Sequence, residues 1–104
     1  MTSENVRALQ AWSLAEGTSA SNNPLATTRT HDNTTNFNSV GVKNYASYGD
    51  GVQATVETLL NGRYPNILAA FADGTSATNV AHAVAASPWG TGHGVERVLA
   101  TGGV

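Results

Sequence analysis

Residues 18 to 47 are rich in Thr, Asn and Ser and are interrupted by Pro24 and Gly41. A polar run of this length is too long for a structureless connection inside a small domain, so it is expected to be an ordered segment tied to function. Within it, Phe37 to Tyr45 alternates loosely between apolar and polar positions. It reads equally as a short hairpin turning near Gly41 or as an irregular packed loop.

The flanking sequence is helical in its periodicity. Before the polar run, Val6, Leu9, Ala11, Trp12 and Leu14 fall at helical spacings between Ser3 and Ala15. Thr2 or Ser3 suits the N-cap and Gly17 the left-handed close, which leaves Glu16 on the last turn. After the run, Ser47 or Asp50 caps a second helix with an apolar stripe of Val52, Val56, Leu59 and Leu60, closed by Gly62. Tyr64-Pro65 starts a third, with Ile67, Leu68 and Phe71 facing inward until Asp73-Gly74. Ser76 opens a fourth through Val80 and Val84 to Ser87, ended by Pro88. The stretch Trp89 to Gly94 is a glycine-rich turn, Val95 to Ala100 a last short helix, and Thr101 to Val104 should fray. The expected fold is mainly α, with about five helices and a long polar loop or small hairpin after the first. The 104 residues suit one domain, 1–104, with no repeat or linker.

Composition limits the core and the partners. Apolar content is 40%, but much of it is Ala and Val, and the large side chains are few. Such a core is thin and sensitive to the loss of any one aromatic residue. Arg7, Arg29, Lys43, Arg63 and Arg97 are scattered and the net charge is −2. This argues against nucleic acid and against an anionic membrane surface as partners. There is no cysteine, hence no disulfide or thiolate metal site. No stretch has the length of a membrane span, and Met1 to Asn5 lacks a basic region followed by an apolar run, so no signal peptide is expected.

Glu16 is the leading candidate for chemistry. The carbonyl end of a helix disfavours negative charge, and an apolar neighbour such as Trp12 or Leu14 adds to that effect. The carboxyl is therefore expected to keep its proton near neutral pH, as a general acid for a glycosidic oxygen must. By position alone, a solvated glutamate on a final turn is the commoner explanation.

The order of segments adds to this. Ala15-Glu16-Gly17, Asn22 to Thr28, Phe37 to Tyr45 and Gly51 to Thr55 together resemble the lysozyme-like superfamily. The likeness is greatest to small phage and actinobacterial peptidoglycan hydrolases, and more distant to goose-type lysozymes and lytic transglycosylases. It covers Leu9 to about Phe71, and Ser87-Pro88-Trp89-Gly90 resembles a closing turn of that group. The resemblance implies that Glu16 is the catalytic acid and that Asn22 to Thr28, including Asn23 and Thr28, border the cleft. It also implies that Asn38, Asn44 and Tyr45 contact the glycan. Amides and aromatic faces suit neutral sugars, although turn-holding explains both asparagines as well, and a core place explains Tyr45 better. Gln53 is expected on an exposed helix face.

A two-carboxylate hydrolase needs a second acid about 5 Å away for retention, or roughly 6.5–9.5 Å for inversion. Asp32, in the polar loop, is the first candidate and Asp50 the second, with helix capping an equal explanation for Asp50. Lytic transglycosylases need only the glutamate, because the substrate's own 6-hydroxyl attacks. His31, His82 and His93 lack metal-ligand spacing, so neither metal nor cofactor is expected. Gly90 to Gly94 lacks the strand and the Gly-Lys-Ser/Thr ending of a phosphate loop.

The resemblance thus implies a peptidoglycan-cleaving glycosidase acting on the bond between N-acetylmuramic acid and N-acetylglucosamine, encoded by a phage and either carried in the virion or released to the wall. The alternative is a lysozyme-like fold serving as a non-enzymatic structural or glycan-binding virion module, with other virion proteins as partners.

Overall fold

The computed structural model describes residues 2–31 and 33–104 and is mainly helical. Among the described residues the helices are α1 (Ser3–Glu16), α2 (Tyr48–Leu59), α3 (Pro65–Asp73), α4 (Ala77–Ala85) and α5 (Gly94–Ala100). Between α1 and α2 lies a small antiparallel ladder, β1 (Thr35–Asn36) and β2 (Lys43–Asn44), pairing Thr35 with Asn44 and Asn36 with Lys43. The hairpin reading holds, with Phe37 N–H donating to the Val42 carbonyl at 2.9 Å inside the ladder.

The helix ends follow local chemistry. The Thr2 hydroxyl accepts from the Asn5 N–H at 3.1 Å, and Gly17, at φ 58°, closes α1 by donating to the Ser13 carbonyl. Ser47, not Asp50, supplies the cap of α2, accepting from the Asp50 N–H at 3.1 Å. Pro65 occupies the first turn of α3, and Ser76 caps α4.

The core lies where α1, α4 and α5 meet, with α3 against α4. Ala8, Ala11, Ala77 and Ala81 are all fully buried, so small side chains let the backbones approach while Val80, Val84, Val95 and Ile67 fill the space between. The fully buried Trp12 meets the edge of Trp89 at 4.9 Å, and Trp89 in turn contacts Tyr64 at 5.2 Å. This aromatic chain joins the first helix to the turn after α4.

The apolar stripe of α2 divides: Leu59 packs against the core, whereas Val52, Val56 and Leu60 remain 43%, 46% and 64% exposed. They border an open groove of about 1030 Å³ whose far wall includes Leu9 and Leu14 of α1. Helix α2 is also held through the preceding loop, by Gly51 against Asn22 and by a 2.8 Å hydrogen bond between the hydroxyls of Thr27 and Thr58. The C-terminal residues, expected to fray, make contacts with the fold. Gly103 N–H donates to the Val98 carbonyl at 3.0 Å, and Val104 packs against the core. Among the described residues, no helix is long and apolar enough to cross a membrane.

Candidate functional site

Glu16 is partly buried at the end of α1, one turn beyond Trp12. That spacing puts both side chains on one helix face, and the Trp12 indole N–H donates to Glu16 Oε1 at 3.2 Å. The Thr91 hydroxyl donates to the same oxygen at 2.5 Å, from 75 residues away in sequence. Trp12 Nε1 also lies 3.3 Å from Thr91 Oγ1, which closes a triangle. The expected apolar neighbour is present, but it presents its polar edge to the carboxylate. Leu14 points into the groove instead and is 58% exposed.

The turn that delivers Thr91 is built from several small devices. Ser87 donates its hydroxyl to the Val84 carbonyl at 2.7 Å and accepts from the Trp89 N–H, so the chain leaves α4 in a fixed direction. The Trp89 indole N–H then donates to the Leu25 carbonyl at 3.3 Å. Gly90 and Gly92 take φ of 93° and 64°, a left-handed region where side chains are disfavoured, and Thr91 stands between them. Gly94 meets α1 so closely that a Cβ there would lie 3.2 Å from the Cβ of Ala15.

The other candidates are less concentrated. Asp32 lies outside the described residues. Asp50 sits in the first turn of α2, where a carboxylate complements the helix dipole. Asn23 is only 1% exposed, and its amide donates to the Thr27 and Lys43 carbonyls while accepting from the Thr27 N–H. Its side chain is thus turned inside the loop and bonded to backbone. Tyr45 is 3% exposed with its hydroxyl donating to the Arg29 carbonyl, so its ring packs within the fold. Asn38 holds the hairpin turn by accepting from the N–H groups of Val40 and Val42. Asn44 accepts from the Ser21 N–H at 2.9 Å and donates to Thr35. Among the carried-over sugar contacts, Thr28 and Asn38 are exposed, on the hairpin side of the loop.

Sequence reasoning passed over Glu57. Its Oε1 accepts from Arg29 Nε at 2.7 Å and lies 2.8 Å from His31 Nε2, while Gln53 donates to Oε2 at 3.3 Å. The hydrogen bond from His31, then that from Arg29, holds this carboxyl below the ordinary range. Only the Gln53–Glu57 helical spacing was visible locally; the other partners are 26 and 28 residues away. A second carboxyl, Glu96, lies between His82 and His93 at 3.0 and 3.1 Å. Among the described residues, no group of three or more His, Asp or Glu is placed to hold a metal ion.

The groove beside α2 is a different kind of surface. Among the described residues, no Asp, Glu, His, Lys or Arg side chain lines it, and Glu16 is not on its wall. In comparisons with protein-family models, curated proteins and solved structures, the chain finds no significant match.

Proposed function

We propose that this chain is a peptidoglycan-cleaving glycosidase of lysozyme-like architecture, a muramidase or lytic transglycosylase, with Glu16 as its acid and base. The observation that carries the reading is the convergence on Glu16. The Ala15-Glu16-Gly17 helix end, a segment that carries the family resemblance, meets Thr91, which directly follows the similar Ser87-Pro88-Trp89-Gly90 turn, through the bond from the Thr91 hydroxyl to the Glu16 oxygen that also accepts from Trp12 on its own helix. In the proposed reaction the protonated Glu16 gives its proton to the glycosidic oxygen as the C1–O bond breaks. The resulting carboxylate then takes a proton from the nucleophile that attacks C1. With the substrate's 6-hydroxyl as nucleophile, the product is a 1,6-anhydro sugar and Glu16 suffices; with water, the product is a reducing end and a second carboxylate is usual.

Replacing Glu16 with Gln tests this. The variant should keep the fold and lose about 100-fold or more of the wall-clearing rate on purified peptidoglycan. Full activity in Glu16→Gln would sink the assignment. Mass spectrometry of the released muropeptides separates the two routes, because anhydro and reducing ends differ by the mass of one water.

A second reading is favoured by the groove. An extended apolar groove that excludes Glu16 suits a non-enzymatic lysozyme-like module of a virion that binds glycan or other virion proteins. Retention of the intact chain on insoluble wall, with no muropeptide released, selects that reading.

A further inference from the structure

We propose that Thr91 is a positioning residue for Glu16, deciding which of its two carboxyl oxygens carries the proton to substrate; this rests on the glycosidase reading above. Oε1 accepts from both the Trp12 indole N–H and the Thr91 hydroxyl, at 3.2 and 2.5 Å. A carboxylate oxygen has two lone-pair sites, so these donors occupy Oε1. Thr91 has a single hydroxyl proton, and it is directed to Oε1 while the Thr91 oxygen lies within reach of the Trp12 N–H at 3.3 Å. The proton that leaves with the glycosidic oxygen is therefore on Oε2, and the return proton arrives there as well.

Trp12 alone does not fix the carboxyl. Its indole is locked by full burial and by the edge of Trp89, but its N–H lies within reach of two acceptors, both beyond 3.1 Å. The shorter contact comes from Thr91, on a turn whose neighbours Gly90 and Gly92 both adopt left-handed φ. Thr91 touches Oε1, the oxygen that does not carry the proton, so it acts on the orientation of the acid and not on affinity.

The test is steady-state turnover of purified soluble glycan strands by the full chain and by Thr91→Val, Thr91→Ser and Glu16→Gln. Valine keeps the shape and removes the hydroxyl; serine keeps the hydroxyl. Thr91→Val should lose about 10- to 100-fold in kcat with KM within about twofold, the size expected when an acid is misaligned. Thr91→Ser should recover most of that loss. A purely structural role would lower the melting temperature of both variants without this split. Should Thr91→Val not fold, Thr91→Ala is read in its place. Wild-type kcat in the folded variant lacking the hydroxyl, with Glu16→Gln inactive, overturns the Thr91 assignment alone. Activity in Glu16→Gln, or none in the wild-type chain, overturns the glycosidase reading and this inference with it.

Discussion

Gly51 lies so close beneath the backbone of Asn22 that a Cβ on it would stand 1.7 Å from the Asn22 carbonyl oxygen. Asn22 itself has φ 57° and donates its amide to the Tyr45 carbonyl at 2.8 Å, so it has little room to move. The start of α2 is thereby pressed onto the loop that follows α1. Gly51→Ala should destabilise the protein by about 1–3 kcal/mol or more through overpacking. Gly49→Ala is the control, because its nearest atom would be Ser47 Oγ at 3.9 Å; it should be neutral or stabilising by up to about 1 kcal/mol. Chemical denaturation of both variants reads the difference, and equal stabilities would refute the close contact.

Asn23 joins three backbone groups inside the loop. Asn23→Ala leaves the Thr27 N–H and the Thr27 and Lys43 carbonyls without that partner, and should cost about 2–3 kcal/mol. Asn23→Asp should cost at least as much near neutral pH, since a carboxylate offers those carbonyls no donor. Urea unfolding midpoints check both. A neutral Asn23→Ala would refute the contribution of these three bonds to the fold.

The pairing of Glu57 makes stability depend on acidity. His31 and Arg29 favour its ionised form in the folded state, which depresses the carboxyl below its usual value of 4.5. This stabilisation is complete above pH 4.5 and is lost as the pH falls through the lower folded value. The gap in melting temperature between the wild type and Glu57→Gln should therefore narrow on acidification through that range. A gap that stays constant would show that the cluster contributes nothing through charge. The effect should be modest, because the side chain is partly exposed.

Core and groove should respond differently to the same kind of change. Ile67, almost fully buried, should cost about 2–5 kcal/mol when replaced by Ala. Leu60→Gln, at a position left mostly exposed, should stay within about 0.5 kcal/mol. It should also reduce fluorescence of an apolar dye added to the folded protein, if the groove is the open surface described. A loss of stability at Leu60 as large as at Ile67 would mean that α2 packs more tightly than its exposure indicates.

Much of the helical framework was legible because its signals are local. Thr2, Ser47 and Ser76 cap the next helices through N–H groups three residues on, Gly17 and Gly74 end helices in the left-handed region, and Pro65 opens α3. The position of Glu16 on the last turn of α1, beside Trp12, follows from the same rules. The stripe on α2 was read with the right spacing, but of its four members only Leu59 packs against the core. Periodicity shows that residues share a face, but not what covers that face.

Within the chain itself, spacing and end-capping residues determined where helices begin and stop and which side chains stand on one face. Tertiary packing alone decided that Thr91 reaches Glu16 across 75 residues, that Arg29 and His31 converge on Glu57, and that Asn23 and Tyr45 turn inward. The physical reason is reach. A cap or a helical repeat acts within about one turn, whereas these contacts depend on how whole helices and loops come to rest against a shared core.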